Sequence, residues 1–141
     1  MSDEQRKREN GTWRRVRNLA FYLGMGFLFT HELDAVPNHE WRQLPLLQSL
    51  PDETGMWVFI AAHVPLFALL IALVASSNVR VRRNSRRVIG AFLVLHGVLH
   101  GLLMGRAEYE FSSTLSSLLI FGGAALGALY LALEARHRTA T

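Results

Sequence analysis

Cysteine is absent from the chain, which excludes disulfides and thiolate metal sites. Charge is scarce as well. Only 18% of the 141 residues are charged, against about a quarter in a typical soluble domain. The deficit is concentrated in long uncharged runs, so lipid is the expected solvent. No segment alternates as a half-buried strand would, and no glycine-rich phosphate loop follows one. The stretch His31-Glu-Leu-Asp-Ala lacks the second histidine of the zinc-protease H-E-x-x-H pattern. No internal repeat or low-complexity segment stands out.

What the chain has is basic charge and apolar length. Its net charge is +4 and its pI about 10.3, but the basic residues sit in short clusters between apolar runs. That placement fits membrane orientation better than nucleic-acid binding. A crossing helix needs about 20 mostly apolar residues, and the runs at 56–76, 88–105 and 112–133 supply them. The uncharged run at 19–30 is too short alone. As a span it must continue through His31, Glu32 and Asp34 until Pro37 stops it, giving 18–36. A basic segment before a short apolar core also resembles a cleaved signal peptide. Cleavage after Ala35 would leave Leu33 where a small residue is usual, so the span reading is preferred.

Arginines set the orientation. Arg6, Lys7, Arg8, Arg14, Arg15 and Arg17 precede the first run, Arg80, Arg82, Arg83, Arg86 and Arg87 lie between the second and third, and Arg136 and Arg138 follow the fourth. Only Arg42 and Arg106 fall in the other loops. By the positive-inside rule both termini are cytoplasmic. The expected fold class is all-α: a four-helix integral membrane bundle, one domain over 1–141, multi-pass in the cell (inner) membrane. A basic tail occupies 1–17 and an outer interfacial loop 37–54, with Trp41 at headgroup level.

Small residues should pack the helices. Gly97, Gly101 and Gly105 recur every four residues, Gly123 and Gly127 do so in the fourth span, and Gly24 and Gly26 lie in the first. Such faces allow close backbone approach within one chain or in a homo-oligomer. Pro65 should kink the second span and free the Ala61 carbonyl.

Five of six histidines and seven acids fall on the outer side of this topology. Counted from the outer helix ends at about 1.5 Å per residue, His31 and His100 lie roughly 8 Å deep and His63 and His96 roughly 12–15 Å. His31 and Asp34 are three apart and His96 and His100 four apart, so each pair shares a helix face. His31, Asp34, His63, His96 and His100 are therefore the candidate metal ligands. Imidazole with carboxylate suits zinc, iron or manganese. Glu32 and Glu108 are the candidate proton-transfer groups. Plainer readings stand beside these. His63 alone reads as an interhelical hydrogen bond, His39 and His137 as solvated, Glu108 and Glu110 as loop charges, and the serines at 112–117 as helix caps. Ionisable groups inside a span are nonetheless costly and usually partnered.

The stretch THELDAVPNHEWR at 30–42, followed by PLL at 45–47, HVPLF at 63–67, the paired-histidine third span and YEFSS at 109–113, resembles a family of small bacterial membrane proteins of unknown function. That resemblance implies a four-helix membrane fold and no particular activity. More distantly, His31 and Asp34 are similar to the start of the H-x-x-E-E motif of other membrane families, with Asp34-Ala35 where two glutamates stand. Hydrolases of the alkaline ceramidase type are similar in residue types, holding zinc with intramembrane histidines and an aspartate.

Three functions follow. The first is a metal-dependent membrane enzyme acting on a small apolar or lipid substrate. The second is a haem-binding electron carrier with His63 and His96 or His100 as axial ligands, less favoured because such a site needs no Glu32 or Asp34. The third is non-enzymatic: a proton or ion pathway, or a partner subunit.

Overall fold

Among the described residues four helices, α1 (Asp3–Ala35), α2 (Asp52–Val74), α3 (Val79–Leu103) and α4 (Thr114–Thr139), make up the fold. The structure, a computed structural model, describes residues 3–107 and 109–139. Among the described residues there is no strand, and one 3-10 turn (Glu40–Gln43) interrupts the α1–α2 loop. Asp52–Val74, Val79–Leu103 and Thr114–Arg136 are long and apolar enough to cross a membrane. Helix α1 is diluted by its basic first half and by His31, Glu32 and Asp34. It is helical from Asp3, so the basic segment expected as a tail is continuous with the first apolar run and extends the rod to about 50 Å.

Local chemistry explains the helix ends. The Asn78 side chain accepts from the N–H groups of Arg80 and Val81 and caps α3. Asp52 and Glu53 place negative charge in the first turn of α2. The Ser113 hydroxyl accepts from the Ser116 N–H at the start of α4. This is the capping role that the plainer reading gave these serines. Past the end of α3, Gly105 takes φ 89° and reverses the chain.

Helices α1 and α3 both pack on α4, while α2 is peripheral and meets α3 and the 3-10 turn. Closeness depends on glycine. A Cβ at Gly97 would stand 2.6 Å from that of Ala124, and one at Gly127 would stand 2.7 Å from the Gly90 carbonyl oxygen. The expected stripe of Gly97, Gly101 and Gly105 is only partly used. Gly101 has ordinary room, and nothing lies near Gly105. The tight seam runs instead from Gly90 to Gly97, where α4 comes nearest.

One end of the bundle is fastened by charge. Glu134 accepts from Arg17 at 2.9 Å and from Arg87 Nε at 3.1 Å, tying α1 and α3 to α4. Outward-facing positions are largely apolar, including Leu33, Val64, Leu102 and most of α2. Apolar exposure on this scale is unusual for a monomer in water. Trp41, in the loop expected at the outer interface, is covered by the protein itself. It is 3% exposed, packed with Ala35, Phe59, Phe111 and Ile120, because its indole N–H reaches Asp52 at 3.1 Å.

Candidate metal centre

Helix α1 brings His31 to its last turn, and α3 presents His96 and His100 one turn apart on a shared face. The three imidazoles meet. Ring centroids are 4.8 Å apart for His31 and His96, 5.1 Å for His31 and His100, and 4.5 Å for His96 and His100. One nitrogen from each lies within 4.8 Å of the others. Phe111, from the segment joining α3 to α4, covers them with its ring 5.3 Å from His31 and 4.9 Å from His100. His31 is 1% exposed and His100 4%.

Partner accounting sharpens the site. The Tyr109 hydroxyl lies 3.2 Å from His100 Nδ1, which leaves Nε2 of that ring for a ligand. Both nitrogens of His31 and Nε2 of His96 are buried without a hydrogen-bond partner among the described residues. An unsatisfied buried polar group costs about 1–3 kcal/mol. Such nitrogens are therefore expensive in an empty site, and a shared cation would satisfy one on His31 and one on His96 together.

Carboxylates approach from the loop and from α1. Glu40 Oε2 lies 3.6 Å from His31 Nε2, and both Glu40 Oε2 and Asp34 Oδ2 are buried without a hydrogen-bond partner. Burial, reinforced by Glu32 and Asp34 nearby, pushes the Glu40 carboxyl up to about 8. The 3-10 turn aims Glu40 inward, and outer contacts hold that turn. Arg42 donates to both oxygens of Asp52 at 2.7 Å, and His39 Nδ1 lies 2.7 Å from Glu110 Oε2. Hydrogen bonds from Arg42 and Trp41 bring Asp52 down to about 2. Burial, with Glu40 nearby, raises Tyr109 above the usual phenol range.

Of the residues singled out in the sequence, His31, His96 and His100 come together. His63 is engaged elsewhere. Its Nδ1 lies 2.7 Å from the Phe59 carbonyl, which can only accept, so Nδ1 carries the hydrogen. Its Nε2 lies 2.9 Å from Glu32 Oε2, a contact that needs one proton on either the ring or the carboxyl. Glu32 thus faces α2, although it adjoins His31 in sequence. Asp34 stays beside the cluster with its free oxygen buried. Glu108 lies outside the described residues. Sequence reasoning did not single out Glu40, Tyr109 or Phe111. All three sit in irregular segments, where helical spacing gives no signal.

Comparison with curated proteins and with solved structures finds no match. The segment 17–137, which carries His31, Glu40, His96, His100 and Tyr109, matches a described family. The chain belongs to the family of unknown function DUF6713.

Proposed function

We propose that this is a multi-pass protein of the cell (inner) membrane that holds a divalent cation on His31, His96 and His100. Its function in this reading is metal-dependent catalysis on an apolar or lipid substrate. The observation that carries it is the convergence of three imidazoles, two of which, His31 and His96, have buried nitrogens without hydrogen-bond partners among the described residues. Nitrogen donors with carboxylates nearby favour zinc, iron or manganese. Such an ion polarises a substrate oxygen or makes bound water acidic. Glu32, held by His63 on the side of α2 yet near enough to Glu40 to help raise its carboxyl, is the proton-transfer group in this reading.

Insertion of α1 as a fourth span is supported by its helical continuity to Ala35 and by partners for its polar residues, such as the Glu32–His63 bond. The arginine clusters support cytoplasmic termini, which puts the histidines in the outer half of the bilayer. The apolar outer surface of α2 and α3 supports a substrate that arrives through lipid. The haem alternative draws less support, because both His63 nitrogens already have partners in the chain.

Elemental analysis of detergent-purified protein, with an absorption spectrum of the same sample, tests this. Near-stoichiometric zinc, iron or manganese is expected, with no Soret band, and the double variant His96→Ala, His100→Ala should lose the metal. A metal content unchanged in that variant would refute the centre. Metal at zero throughout would favour a polar network without catalysis.

A further inference from the structure

We propose that Glu40 is the fourth protein ligand of this centre, carried in by the outer loop, so that the coordination sphere closes only while that loop is latched. The inference rests on the three-histidine reading and adds to it both a ligand and a means of opening the site. Its ligand class is a divalent cation that accepts mixed nitrogen and oxygen donors.

The geometry selects Glu40 among the nearby acids. Among the described residues, its Oε2 is the carboxylate oxygen that approaches an imidazole of the cluster, at 3.6 Å from His31 Nε2, and neither atom has a hydrogen-bond partner there. That separation is too long for a hydrogen bond. It suits two donors facing one ion, since nitrogen and oxygen ligands about 2.0–2.2 Å from a tetrahedral zinc stand roughly 3.4 Å apart. Glu32 is committed to His63. Asp34 also has a buried free oxygen, but among the described residues it forms no comparable contact with an imidazole.

The loop is built to hold that position under strain. His39, just before Glu40, takes φ 50° and ψ 38°, a left-handed conformation that side-chain-bearing residues rarely adopt. The contacts that sustain it flank Glu40 on both sides. His39 reaches Glu110, Arg42 clamps Asp52 through two hydrogen bonds, and Trp41 bonds Asp52 from the buried side. Arg42 also lies 3.6 Å from Glu110. Glu110 comes from the α3–α4 connection and Asp52 from the first turn of α2. Seating of Glu40 therefore requires the α1–α2 loop, the start of α2 and the α3–α4 segment to be in register.

Purified protein loaded with cobalt(II), and titrated with zinc against a competing chelator, tests the assignment. Glu40→Gln keeps the side-chain volume and should weaken zinc binding by more than about 100-fold, beyond the about 10–100-fold typical of groups outside the coordination sphere. It should also alter the visible cobalt bands. Arg42→Ala keeps the ligand but loosens the latch, so affinity should fall about 10-fold with the cobalt bands preserved. Asp34→Asn should leave those bands unchanged. If wild type binds metal while Glu40→Gln shows the same affinity and spectrum, Glu40 is not a ligand and the three-histidine centre stands. Spectral change in Asp34→Asn instead would assign the position to Asp34 and overturn the proposal. If wild type takes up no cobalt or zinc, the centre itself fails, and Glu40 with it.

Discussion

Glu32 Oε2 and His63 Nε2 lie 2.9 Å apart, with each side chain less than one-fifth exposed. This bond ties α1 to the otherwise peripheral α2. His63→Ala should therefore loosen α2 while leaving the metal content of the protein unchanged. Polar pairs between membrane helices contribute about 0.6 kcal/mol on average and up to about 1.7, so a loss within that range is expected in thermal unfolding in detergent. Metal lost together with His63 would place that residue in the centre after all.

Gly97 should tolerate no side chain. Gly97→Leu drives atoms into Ala124 of α4, and overpacking of this kind typically costs about 1–3 kcal/mol. Because Gly97 adjoins His96, the same variant should release metal. Gly26→Ala is the control: nothing lies within 4 Å of a Cβ there, and helical propensity makes it neutral or stabilising by about 0.5–1 kcal/mol. Equal unfolding temperatures for the two variants would mean that α3 and α4 are not packed as described.

Glu134 carries the opposite end of the bundle. Glu134→Gln removes the shared acceptor of Arg17 and Arg87 and leaves two guanidinium groups partly buried. Breaking a fully buried pair costs about 3–5 kcal/mol. These groups retain some solvent, so about 2 kcal/mol is the expected loss, measured by denaturant unfolding in micelles. Metal content should not change, since His31 lies about 21 Å along α1 from Arg17.

Acid should unlatch the outer loop through Asp52. Arg42 and Trp41 hold its carboxyl down at about 2, below the usual carboxylate range. A group depressed in the folded state contributes stability above its unfolded pKa and loses it as pH falls through the folded one. The unfolding temperature should therefore drop between about pH 4 and pH 2. Asp52→Asn should start lower and lose less over that interval. Parallel curves for the two proteins would show that the Arg42–Asp52 clamp contributes nothing.

The lack of cysteine makes orientation directly measurable, because any introduced thiol is unique. Gln48→Cys, exposed in the α1–α2 loop, should react in intact cells with a thiol reagent that cannot cross membranes. Ser77→Cys, exposed between α2 and α3, should react only after permeabilisation. The reverse pattern would invert the topology and put the histidine layer in the inner leaflet.

The helices were legible because apolar runs have a length and a period. The meeting of His31, His96 and His100 was legible for a related reason: depth along a helix can be counted, and a four-residue step fixes a face. What could not be counted was which way α1 is rotated. That rotation turns Glu32 toward α2 and gives His63 a partner of its own. Glu40 and Tyr109 reach the centre through loops, whose paths depend on tertiary contacts such as Arg42–Asp52. Glu134 lies one residue past the apolar run at 112–133 and reads as an ordinary tail charge until Arg17 and Arg87 are seen beside it. The glycine faces were recognisable as packing surfaces, but which glycines touch depends on where the helices cross.

The chain has three tryptophans, and the structure treats them unequally: Trp13 is 47% exposed and Trp57 58%, whereas Trp41 is 3% exposed. The indole neighbouring Glu40 in sequence is therefore the one screened from its surroundings. Its emission should redden, and dissolved quenchers should gain access to it, when the outer loop is unseated. With Trp13 and Trp57 changed to phenylalanine, the protein would carry its own optical gauge of whether the outer loop is seated, readable without any added label.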